Sequence, residues 1–204
     1  MEHDFENLVR EAKIRRGIIL YGNTRDEYYD SGSTEYELLP YHLQSVLKNN
    51  GFNVVGLWNH SCGLKFQERH EERAFSKWFG SDESSKVEEG AIDYLDIGNE
   101  STDIPPLKDF DELVAALAPV MRVNDQPAAF ILDWTDFHFG TVQTPLAPED
   151  RFSLRGLAEL MTGQSGTGKP SNITSRPSNV VILITANLGA IPPVLYQPEP
   201  RITL

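Results

Sequence analysis

Residues 163–170 read GQSGTGKP. This is one residue short of a phosphate-binding loop, G-x-x-x-x-G-K-[ST], in which backbone amides and a lysine cradle phosphates and a hydroxyl holds magnesium. Gly163, Gly168 and Lys169 fall in register, but Pro170 stands where the hydroxyl belongs. Ser165 in the same stretch resembles the nucleophile of a G-x-S-x-G elbow. His60 and Cys62 in NHSCG, and His138 in HFG, are metal-ligating types. They lack the paired Cys-x-x-Cys or His-x-x-x-His spacing of a zinc site. Asp133 ends the apolar run FILD, and Asn187 ends VVILITAN. A carboxylate at the end of a buried strand is suited to a hydrated magnesium ion beside phosphates.

Each chemistry needs particular elements around it. A phosphate loop must leave a buried strand and enter a helix, so that inward amides and the helix terminus face the anion. The GQSGTGKP stretch follows RFSLRGLAELM, which has helical spacing, and precedes PSNITSRPSN, which has two prolines and no periodicity. Both flanks are wrong for a phosphate loop and for a nucleophile elbow. Residues 162–178 therefore read as a flexible connector.

Four apolar runs predict strands: GIILY (17–21), FNVVGLW (52–58), AAFILDW (128–134) and NVVILIT (179–185). None alternates strictly with polar residues, as expected of strands buried on both faces of a parallel sheet. The final RITL begins a fifth. Helical spacing recurs between them at 5–15, 38–48, 67–79, 108–121 and 148–161. Residues 80–106 are acidic and poor in large apolar groups, which predicts a surface insertion. Alternating strands and helices predict a three-layer αβα domain around a parallel sheet of about five strands.

Composition removes several function classes. The chain has 204 residues and a net charge of −12, which argues against nucleic acid as its main partner. One cysteine allows no internal disulfide and suits a reducing cytoplasm. The acidic N-terminus has no apolar signal segment, and no run approaches the ~20 apolar residues of a membrane span.

In an α/β sheet, ligands sit beyond the carboxyl ends of the strands. Those positions are residues 22–37, 59–63, 133–140 and 186–193. FILD and, about 50 residues later, VVILITAN followed by LGAIPPVLYQPEPRITL resemble the AAA+ branch of phosphate-loop ATPases. The resemblance implies a magnesium-holding strand ending at Asp133, a sensor strand ending at Asn187, and strand order 5-1-4-3-2 across residues 1–204. It also implies an ATP–magnesium site formed by Gly22, Asn23, Thr24, Asp133 and Asn187, with Asp133 toward the metal. From the residues alone, Asp133 reads equally as a turn cap, and Asn187 as a structural amide.

The departures from that family bear on function. The loop after the first strand, GNTRDEYYD, has one glycine, Gly22, and no lysine; Arg25 is its one cation. Trp134 stands where the family carries a catalytic glutamate. The chain is thus expected to be a degenerate AAA+-like module. It would lack its helical lid as part of a longer, tandem protein, and pack against a downstream ATPase module or neighbouring subunits. An ATP-binding domain with an atypical loop, and a protein-interaction domain on the same scaffold, remain the alternatives.

Overall fold

The computed structural model describes residues 2–30, 34–80, 106–122, 126–139, 148–163, 179–195 and 201–203. The acidic stretch 81–105 and residues 164–178, including Lys169 and Pro170, lie outside the described residues.

The apolar runs form the sheet. The strands are β1 (Gly17–Tyr21), β2 (Glu27–Asp30), β3 (Glu35–Leu38), β4 (Val54–Asn59), β5 (Gly63–Phe66), β6 (Ala128–Leu132), β7 (Asn179–Thr185) and β8 (Arg201–Thr203). Every residue of β6 and β7 is buried. The main sheet runs β5-β4-β6-β7-β1-β8, and β4, β6, β7, β1 and β8 are mutually parallel. These five are the expected strands in the expected order.

Two features differ from expectation. β5 pairs antiparallel with β4 and adds a sixth strand at the edge. Gly63 opens it at φ +71, where an added Cβ would lie 1.6 Å from the Pro106 carbonyl oxygen. Only glycine fits that turn. Residues 22–37, expected to be loop, contain the antiparallel β2–β3 pair, a second, two-stranded sheet.

The helices are α1 (Glu2–Ala12), α2 (Leu39–Asn49), α3 (Arg69–Gly80), α4 (Phe110–Val120) and α5 (Pro148–Thr162). Strand residues point alternately to the two faces, so each strand feeds two cores. Ile18, Leu20, Val55, Ile131 and Ile182 pack with Leu8 of α1 and Leu39, Leu43 and Leu47 of α2. Ile19, Val54, Phe130 and Val181 pack on the opposite face with Phe75 of α3, Leu117 of α4 and Leu157 of α5. The charged stretch at 67–79 does form a helix, because Phe75 and Trp78 reach the core from one side of it.

The buried carboxylate of Glu71 holds α3 to the sheet. Its oxygens accept from the Val55 N–H at 3.0 Å and the Glu68 N–H at 2.9 Å, and Lys48 Nζ lies at 2.9 Å. Gly163, φ +70, ends α5 in the left-handed conformation common after a helix. A helix rather than a strand therefore leads into GQSGTGKP, as its flanks predicted.

Candidate functional site

The carboxyl ends of β1, β6 and β7 converge at one edge of the sheet. Gly22 follows β1 at φ +105, and its carbonyl accepts from the Thr24 N–H at 2.8 Å. The chain then runs into the β2–β3 hairpin rather than a glycine-rich curl. The Asn23 amide donates to the Asp26 carboxylate, and the Asn23 carbonyl accepts from the Tyr28 hydroxyl at 2.6 Å. Thr24 is buried, and its hydroxyl donates toward the Thr185 carbonyl at 3.4 Å.

The hairpin is pinned from beneath. Tyr28 is buried, with ring centroids 5.5 Å from Phe5 of α1 and 6.0 Å from His42 of α2. Burial, and then the nearby Asp26 carboxylate, raise the Tyr28 phenol above its usual 10.0.

Asp133 follows β6. Its N–H donates to the Trp58 carbonyl at 2.9 Å, which continues the ladder one residue beyond the strand. Its carboxylate is 10% exposed and takes Arg25 Nη1 at 2.6 Å. The same oxygen accepts from the Trp134 N–H at 2.8 Å. Trp134 is held at φ 58, ψ 32, left-handed space that is costly for an aromatic residue. The turn lays its indole beneath Arg25, whose guanidinium carbon is 3.4 Å from the ring centroid. The Thr135 hydroxyl then donates to the Ile184 carbonyl at 3.1 Å, tying this turn to β7.

Asn187 lies two residues beyond β7. Its Oδ1 accepts from the Gly189 N–H at 2.8 Å and caps a short 3-10 turn, Leu188–Ala190. The Thr185 hydroxyl donates to the Asn187 carbonyl at 3.1 Å.

The fold thus brings the loop carrying Gly22, Asn23 and Thr24 to the ends of β6 and β7, where Asp133 and Asn187 follow. Arg25, visible in the sequence as the loop's one cation, is the residue that connects two of these elements. Its pairing with Asp133 spans 108 positions, so no local spacing signals it.

A separate cavity of about 700 Å³ opens at the ends of β4 and β6, lined by Asn59, His60, Ser61, Cys62, Trp134 and His138. The histidine rings, scattered in sequence, stand 5.4 Å apart between centroids. Among the described residues, no group of three His, Cys, Asp or Glu side chains is arranged to hold a metal ion. The His138 ring stacks on Phe110 at 5.2 Å and lies 5.0 Å from Trp58. Among the described residues, no helix is long and apolar enough to cross a membrane.

Residues 5–203 match the family described as "AAA+ chaperone, N-terminal Rossmann-like domain". The chain belongs to that family. This AAA+ chaperone domain has no match among curated proteins. Among solved structures it is similar to "Structure of the Aeropyrum Pernix ORC2 protein (ADPNP-ADP complexes)", at 16% identity and a TM-score of 0.39. That match covers 99% of this chain and 46% of the other, so the domain spans under half of that protein's length. A likeness so distant adds nothing about what this AAA+ chaperone domain binds.

Proposed function

We propose that this domain is a degenerate AAA+ module that works without a nucleotide of its own. It hydrolyses little or no ATP and serves a larger ATPase by packing against a downstream AAA+ module or neighbouring subunits. The observation that carries this reading is the Arg25 guanidinium on Asp133 at 2.6 Å. In a magnesium site, that carboxylate would face the metal and its waters. Here the chain supplies its own cation.

Other residues of the site support a reading without a magnesium–nucleotide. Thr24, the one hydroxyl between β1 and β2, is buried against Thr185. Asn187 uses its side-chain oxygen to cap its own turn, accepting from the Gly189 N–H. Between Gly22 and β2 the chain carries no second glycine and no lysine. Trp134, following Asp133, has no group that could take a proton from water. The alternative, an ATP-binding domain with an atypical loop, requires Arg25 to leave Asp133 first.

Calorimetric titration with ATP and magnesium, paired with thermal unfolding, tests the reading. Millimolar ATP is expected to give no heat and no rise in Tm. Saturable heat with a rising Tm would favour the ATP-binding alternative, because a ligand that binds the folded state must stabilise it.

A further inference from the structure

Among the described residues, nothing covers one face of the β2–β3 hairpin. Its register sets Tyr29 opposite Tyr36 and Glu27 opposite Leu38. Alternation places these four on one side, while Tyr28 points inward to Phe5 and His42. Tyr29 is 54% exposed, Tyr36 68% and Leu38 47%. The two outward tyrosine rings pack on each other at 5.4 Å. Tyr41, in the first turn of α2, is 49% exposed. Among the described residues, half of the eight exposed large hydrophobic ones therefore fall within thirteen positions, 29–41. Clustering of that kind marks an interaction surface, whereas single exposed apolar residues do not.

Charge indicates what covers it. Residues 26–38 carry five acids, Asp26, Glu27, Asp30, Glu35 and Glu37, and no lysine or arginine. Glu27 shares the tyrosine face, and Asp26 and Glu35 are exposed on the same hairpin. A nucleic acid would be repelled. A second copy would bring the same acids to the same surface, on a chain already at −12. A basic protein segment satisfies both halves of the surface. Its arginines or lysines would meet Glu27 and the tyrosine faces, drawn also by the other acids of the hairpin, and an apolar neighbour would cover Leu38.

We infer that the outer face of the β2–β3 hairpin is a docking surface for a basic protein segment in which arginine alternates with apolar residues. It goes beyond the nucleotide reading and stands on the hairpin alone, whether or not ATP binds.

The test uses two labelled peptides of about 12 residues, one alternating Arg with Leu and one alternating Glu with Leu. Fluorescence anisotropy reads affinity, and amide chemical shifts locate the contact. The Arg peptide is expected to bind and to shift residues 27–30 and 35–38, weakening as salt rises from about 0.05 M to about 0.5 M. The double variant Tyr29→Thr/Tyr36→Thr keeps strand-forming residues and Tyr28, and should lose about tenfold in affinity. Glu27→Lys leaves the aromatic face intact and should weaken the Arg peptide several-fold while strengthening the Glu peptide. Three results would overturn the inference: no binding of the Arg peptide, shifts confined to another surface, or equal affinity for wild type and the Glu27→Lys variant.

Discussion

Replacing Arg25 with alanine removes the cation from Asp133 and uncovers the indole of Trp134. Exposed ion pairs contribute about 0–1 kcal/mol, whereas breaking a fully buried pair costs about 3–5 kcal/mol. Arg25 is 30% exposed and Asp133 10%, so this pair lies between those limits. The stacked cation–π contact adds on the order of 1 kcal/mol. Asp133 keeps its bond from the Trp134 N–H, which limits the loss. The expected total is about 2–3 kcal/mol, or a fall in Tm of about 5–10 °C for a domain this size. Thermal unfolding by circular dichroism measures it. The cycle Arg25→Ala, Asp133→Asn and the double variant isolates the pair, with an expected coupling of about 1–2 kcal/mol. Arg25→Lys should fall between, because an ammonium keeps the charge and loses the planar stack. If Arg25→Ala left Tm within about 1 °C of wild type, or the cycle gave no coupling, the pair would not hold the site, and the proposed function would lose its main support.

Two further perturbations test other parts of the fold. Glu71→Gln leaves one acceptor where the carboxylate takes two backbone N–H groups and Lys48. Urea unfolding should show a loss of about 3 kcal/mol, and a loss under about 0.5 kcal/mol would contradict the role given to Glu71. Tyr28, with its phenol raised in the fold, keeps its proton where the unfolded chain has lost it. Its contribution is complete below about pH 10 and disappears as pH climbs through the folded value. Tyr28→Phe should flatten the alkaline fall of the urea midpoint; parallel curves for variant and wild type would rule this out.

Much of the sheet is legible because its strands are buried on both faces. AAFIL and NVVILIT have no polar alternation to confuse with another element, and their C-terminal polar residues mark the site edge. The hairpin was harder to read. Acids, tyrosines and the Ser31–Gly32–Ser33 cluster look like loop composition, yet Tyr28 inward and Tyr29 outward is a strand's period of two. GLKF of β5 is short and contains glycine and lysine, so only its pairing with β4 makes it a strand. GQSGTGKP shows how a motif can mislead when spelling outruns topology, since Gly163 serves as the end of a helix. Arg25 and Asp133 were each visible in the sequence. What joins them is the parallel packing of β1 and β6 on either side of β7, a long-range consequence of the fold.

That bond also has a mechanical side. Arg25 lies two residues before β2, and Asp133 one residue after β6. The hairpin is therefore a lever fastened at its root to the middle of the sheet. A load on the hairpin would reach the end of β6 through the Arg25–Asp133 bond, and α1 and α2 through Tyr28. The Arg25 end of that path sits on the turn that carries Trp134 and borders the His60–His138 cavity.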